Sequence, residues 1–102
     1  MDPGGPAPRA LELAAPRPNP ARGPIALRYA VPPGTGALEL AVFDLAGRRV
    51  RTLEKQAARA AGFATAVWDL RDDRGGAASS GVYLVRLSAA GRALTRKLVV
   101  VR

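Results

Sequence analysis

Asp69, Asp72 and Asp73 lie closer together in sequence than any other carboxylates of the chain, and clustered carboxylate oxygens are the donors a calcium ion takes. Their setting points elsewhere. Leu70, Arg71 and Arg74 intervene, the spacing departs from D-x-D-x-D-G, and adjacent guanidinium groups would repel a divalent cation. These acids are expected to shape turns and ion pairs, and no metal ligand is assigned. Ser79 and Ser80 supply hydroxyls, but with His 0 and Cys 0 the chain has neither an imidazole to activate them nor a thiol nucleophile. Gly34-Thr35-Gly36 and Gly75-Gly76 lack the G-K-[ST] ending and the following helix of a phosphate loop, so they read as turns. Trp68 and Tyr83 could stack on a ligand, yet a single Trp in a small β-domain is usually the residue its sheets pack around. Both are placed in the core. No catalytic residue and no cofactor is assigned, and the chain is expected not to be an enzyme.

The net charge of +8 raises the question of nucleic acid. Positive residues are scattered from Arg9 to Arg102, paired only at Arg48-Arg49 and Arg96-Lys97, and few aromatics stand among them to stack on bases. A solvated basic surface accounts for this pattern, and no nucleic-acid partner is assigned. No run approaches the roughly 20 apolar residues of a membrane span, and Met1 to Pro6 has neither the basic nor the apolar region of a signal peptide. The expectation is a domain that is part of a longer exported precursor.

The elements that must position any site are strands. The 102 residues suffice for one core. Residues 1–15 read as a Pro/Gly-rich linker in which Ala10 to Ala14 can form a short edge strand, and residues 16–102 as the folded sandwich. Ile25, Leu27, Tyr29 and Val31 alternate with Ala26, Arg28 and Ala30, and Leu38, Leu40 and Val42 alternate with Glu39 and Ala41, which is the period of half-buried strands. Asp44 to Gly47 then carries the acid and glycine of a hairpin turn. The next strand, Arg49 to Leu53, places Val50 and Leu53 out of period, so it is expected to be short or bulged. Glu54 to Ala61 is alanine-rich without an apolar stripe and reads as a loop with at most a helical turn. Phe63 to Leu70 gives another strand. Val82 to Leu87 is nearly continuous in apolar residues, which suggests a central strand covered on both faces. Leu94 to Val101 follows a tight turn at Ala89 to Arg92 and closes the series. About seven antiparallel strands describe an all-β, immunoglobulin- or fibronectin III-like sandwich.

The order of motifs is specific. Pro18-Asn19-Pro20, V-F-D-x-x-G-R-x-V-R-T-L with Asp44 and Gly47, the Trp68-Asp69 turn, S-G-V-Y-L-V-R-L with Gly81 and Tyr83, and K-L-V-V-V from Lys97 succeed one another across residues 16 to 102. This series resembles the immunoglobulin-like domain of the flagellar hook-capping protein family, and equally the C-terminal sorting domain of type IX (Por) secretion cargo. The two families share these elements.

The resemblance implies a non-catalytic tag, covalently part of a larger cargo protein, that protein machinery at the outer membrane recognises so that the cargo reaches the bacterial cell surface or medium by way of the periplasm. It places the recognised end on Arg96, Lys97, Leu98, Val99, Val100, Val101 and Arg102. An exposed last strand with an apolar run and basic flanks suits edge pairing or docking. The same resemblance leaves open a structural module that packs against protein neighbours in an assembly of hook-capping type.

Overall fold

The computed structural model describes residues 7–102. Its described strands are β1 (Glu12–Leu13), β2 (Ile25–Val31), β3 (Leu38–Asp44), β4 (Arg49–Gln56), β5 (Gly62–Trp68), β6 (Gly81–Ala89) and β7 (Arg92–Val100). They form a three-stranded sheet in the order β1-β2-β5 facing a four-stranded sheet in the order β4-β3-β6-β7, every neighbouring pair antiparallel. This is an immunoglobulin-like sandwich, reached because each strand has one apolar face and only a second sheet can cover it.

Ile25, Leu27, Tyr29 and Val31 of β2 are buried, as are Leu38, Leu40 and Val42 of β3, Tyr83, Val85 and Leu87 of β6, and Leu98 and Val100 of β7. Removing a side chain of this size from water contributes about 1.5–3 kcal/mol, so these interdigitating rows dominate the stability. Leu11 and Leu13 are buried with them, which seats the short edge strand β1 against the core.

β4 departs from the sequence reading in a way its register explains. Leu40 pairs with Glu54 but Ala41 with Thr52, and Val42 pairs with Arg51 but Phe43 with Arg49. Leu53 and Val50 are therefore the extra residues of two bulges, and both pack against the core as half-buried side chains. The broken period was the bulge. The strand is not short, however: it continues through Glu54, Lys55 and Gln56 because β3 offers Leu38 to Leu40 as partners. No helical turn forms at 57–61, where an alanine-rich segment has no apolar stripe to dock.

β6 is central, between β3 and β7, but only one of its faces is covered. Tyr83, Val85, Leu87 and Ala89 point inward, while Val82 and Leu84 are half-buried and Arg86 is exposed on the outer face. On that outer face Phe43 lies under two guanidinium groups, Arg49 at 5.2 Å and Arg86 at 4.8 Å from its ring centroid. Cation–π contact and the alkyl stems of the arginines take the place of a third layer.

Candidate functional site

The segment singled out at the end of the chain, Arg96 to Arg102, comprises the last five residues of β7, an outer strand of the four-stranded sheet, and the two residues after it. Its apolar alternation sends Leu98 and Val100 into the core, leaves Val99 and Val101 half-buried, and exposes Arg96, Lys97 and Arg102.

The outer edge of this strand is not free, contrary to the expectation of an exposed last strand. Asn19 stands beside it and behaves as a strand residue by means of its side chain. Its Nδ2 donates to the Lys97 carbonyl at 3.2 Å and its Oδ1 accepts from the Val99 N–H at 3.0 Å. Ala21 continues the pairing through its main chain, with Ala21 N–H to Val99 O at 2.7 Å and Val101 N–H to Ala21 O at 2.8 Å. The Pro18-Asn19-Pro20 motif thus caps the edge: the prolines lack N–H groups and cannot extend a ladder, and the asparagine amide supplies one donor and one acceptor in their place. Further up the strand, Arg96 Nε donates to the Leu13 carbonyl at 2.7 Å and ties β7 to β1.

Arg102 is engaged as well. Its N–H donates to Ser80 Oγ at 2.9 Å, its Nη2 to the Leu70 carbonyl at 2.8 Å, and its Nε to the Ala78 carbonyl. Leu70 is buried and holds a left-handed φ of 62°. Its carbonyl also accepts from Ala78 N–H at 2.8 Å, so burial and two donors hold a conformation that leucine alone disfavours.

The other motif residues make turn and core contacts. Asp44 Oδ1 accepts from the N–H groups of Ala46 at 3.0 Å and Arg48 at 2.9 Å, and Oδ2 meets Arg48 Nε at 3.0 Å. Hydrogen bonds from the Arg48 backbone, more than from any other donor, hold the Asp44 carboxyl below the usual carboxylate range. Gly47 closes this turn at a φ of 85°, where a Cβ would strain the backbone. Trp68 is fully buried, donates from Nε1 to the Arg71 carbonyl at 2.9 Å, and meets the ring of Tyr83 edge-on at 5.5 Å between centroids. Tyr83 in turn donates its hydroxyl to the Ser79 carbonyl at 2.6 Å. These two rings join the sheets, as expected of core residues.

The three acids near residue 70 serve different partners. Asp69 Oδ1 accepts from Arg71 N–H at 3.0 Å and Arg51 Nη1 at 3.1 Å, Asp72 Oδ1 from the N–H groups of Arg74 and Gly76 at 2.9 Å each, and Asp73 Oδ1 from Thr52 N–H at 3.0 Å. Each shapes its own turn or contact, and among the described residues no group of three or more metal-ligating side chains converges.

Residues 20–92, from the edge-capping proline to the start of β7, match the family described as the FlgD Ig-like domain. The chain belongs to that family. Among solved structures the Ig-like domain is similar to PorU from Porphyromonas gingivalis, described as dimeric and latent, at 25% identity with a TM-score of 0.69, covering 95% of this chain and 10% of that one. It is also similar to PorZ of the same organism, described as an essential bacterial surface component of the type IX secretion system, at 20% identity and a TM-score of 0.52, covering 91% of this chain and 12% of that one. The second likeness is one of fold. The Ig-like domain thus spans about a tenth of each of these larger chains. No curated protein matches it.

Two features of this edge carried no sequence signal. Ala21, fully buried and paired to β7, looks like any alanine in a proline-rich stretch, and the Arg102 contacts join residues separated by 22 to 32 positions.

Proposed function

We propose that this Ig-like domain is a non-catalytic recognition module carried by a larger secreted bacterial protein, a sorting and anchoring domain of type IX kind that directs its cargo across the outer membrane to the cell surface. The observation that carries this reading is the likeness to PorU, which runs through 95% of the chain. The proline-rich stretch that leads into β1 is the proposed connection to the cargo, and protein machinery at the outer membrane is the proposed partner.

Within the proposed recognition segment the residues divide by what they can offer a partner. Leu98 and Val100 are buried and act by holding the strand. Lys97 is exposed on a strand whose edge Asn19 fixes, so its ammonium is the group best placed to meet an acidic receptor surface, with Arg96 and Arg102 held at its two ends by main-chain carbonyls.

The test is a fusion of residues 7–102 to a periplasmic reporter in a host with a functioning type IX system. Export of the reporter to the surface or medium is expected, with a reduced yield for Lys97→Glu. A reporter that remains periplasmic beside the intact domain overturns the sorting reading. The match to the FlgD Ig-like domain supports a second reading, a structural module that packs against assembly neighbours. That reading expects no export and a stable complex with neighbouring proteins instead.

A further inference from the structure

Each sheet has two outer strands, and three of the four are protected against pairing with another chain. β7 is closed by Asn19 and Ala21 along Lys97 to Val101, and the rest of its length carries Arg92 and Arg96. β4 carries Arg49, Arg51, Glu54 and Lys55, and Asp73 occupies part of its edge through Thr52 N–H and the Val50 carbonyl. β1 is two residues long. These are the usual devices of edge protection.

β5 has none of them. Gly62 to Trp68 contains no charged residue and no proline, pairs among the described residues only with β2, and exposes Phe63 by 69% and Val67 by 62% on the outer face of its sheet. The direction of its free hydrogen-bonding groups follows from the other side of β2. Ala26 exchanges hydrogen bonds with Arg17, and the Arg28 carbonyl accepts from Ala14 N–H, so these residues of β2 face away from β5. Ile25, Leu27, Tyr29 and Val31 must then bond to β5, through their register partners Trp68, Ala66, Ala64 and Gly62. Phe63, Thr65 and Val67 are left with N–H and C=O groups directed at the open edge, and no described residue receives them.

We propose that a second copy of this chain occupies that edge, antiparallel, about a two-fold axis at Thr65. The strand is self-complementary around this residue. Thr65 meets Thr65 of the other copy, Phe63 meets Val67 and Val67 meets Phe63, which matches an aromatic ring to a β-branched side chain twice on the outer face. Ala64 falls opposite Ala66 on the inner face. The three outward-directed residues of each copy pair with one another as hydrogen-bonded pairs, leaving no free group misaligned. This is the isologous geometry of a closed dimer, joining two three-stranded sheets into one. The net charge of +8 does not oppose it locally, since the pairing strands are uncharged and the nearest outer-face cation, Arg28, lies beside Thr65 on the far strand. Its counterpart is three strand spacings away, about 14 Å, beyond the screening length of about 8–10 Å at ordinary ionic strength.

The absence of cysteine makes the register directly testable. Thr65 is exposed, as are Phe63 and Val67, so single cysteines at these positions leave the core intact. Hydrogen-bonded antiparallel partners have Cα atoms about 5.5 Å apart, inside the range of about 4.4–6.8 Å for a disulfide. Under mild oxidation at high protein concentration, Thr65→Cys is expected to form a covalent dimer about tenfold faster than Phe63→Cys or Val67→Cys alone, because two copies of residue 63 would lie roughly 14 Å apart. An equimolar mixture of Phe63→Cys and Val67→Cys is expected to couple across chains. The unaltered chain is expected to show a concentration-dependent rise in sedimentation coefficient, and Thr65→Lys, which puts two ammonium groups on the axis, is expected to abolish it. Equal coupling rates for all three cysteine variants, or an unaltered chain that stays monomeric at millimolar concentration, overturns the proposal. Neither result bears on sorting.

Discussion

The Asn19 side chain and the backbone of Val99 meet across 80 residues of sequence, Oδ1 accepting the Val99 N–H at 3.0 Å while Nδ2 donates to the Lys97 carbonyl at 3.2 Å. A single amide thereby substitutes for one residue of a neighbouring strand. Asn19→Ala removes both bonds and returns the edge groups of Lys97 and Val99 to water, a loss of about 1–2 kcal/mol. A lower urea midpoint with an unchanged slope is expected, together with faster hydrogen exchange at Val99. Asn19→Asp keeps the acceptor but sets a carboxylate against the Lys97 carbonyl, so it should recover only part of the loss.

Leu98 and Lys97 are sequence neighbours with opposite surroundings, one at 0% exposure and the other in solvent. Leu98→Ala is expected to cost about 2–5 kcal/mol through lost transfer energy and the cavity left behind. Lys97→Ala should stay within about 0.5 kcal/mol. Thermal denaturation of the two variants separates the scaffold of the last strand from its surface. It also decides how recognition can be probed, because deletion of residues 97–102 removes the core contacts of Leu98 and Val100 along with the exposed ammonium.

Local periodicity was enough to place most of the fold. The alternation at Ile25 to Val31 survives in the structure because every second side chain there enters the core, and the irregular spacing of Val50 and Leu53 marked the position of the two bulges. What the sequence did not disclose depends on partners distant in the chain. Glu54 to Gln56 are polar and became strand because Leu38 to Leu40 lie alongside. Val82 and Leu84 form an apolar run, yet no layer of the described residues covers their face. Asn19 could be picked out as part of a motif, but its hydrogen bonds to β7 required the register of both sheets.

Acid should loosen the first hairpin turn before the core. The Asp44 carboxylate gains hydrogen bonds in the folded state, chiefly from the Arg48 backbone, and its pKa lies below the ordinary value of 3.8. A depressed folded-state pKa means that the stabilisation is present above the unfolded value and is lost as pH falls through the folded one. Asp44→Asn should therefore flatten the dependence of stability on pH below about 4, while changing little in the slope near neutrality. Denaturant titrations at a series of acidic pH values measure this, and an identical acid slope in the variant would show that other carboxylates carry it.

The turn joining β6 and β7 has room for improvement at one residue. Ala89 pairs with Arg92, so the loop consists of Ala90 and Gly91, which hold φ values of 52° and 72°. Positive φ at both central positions is the type I′ geometry that matches the right-handed twist of paired strands, and it is met most readily by Asn-Gly. Gly91 adopts it without strain, but the Cβ of Ala90 approaches the following carbonyl, at a cost of about 1–2 kcal/mol relative to a right-handed conformation. Ala90→Asn is expected to raise stability by about 0.5–1 kcal/mol, since asparagine tolerates the left-handed region and can hydrogen-bond locally. Ala90→Val should lower it by at least as much, because a β-branched side chain is poorly accommodated at positive φ. Ala90 is exposed, so neither substitution alters the core, and the urea midpoints of the pair isolate the backbone term. A valine variant as stable as the unaltered chain would mean that the turn relaxes to another geometry at no cost.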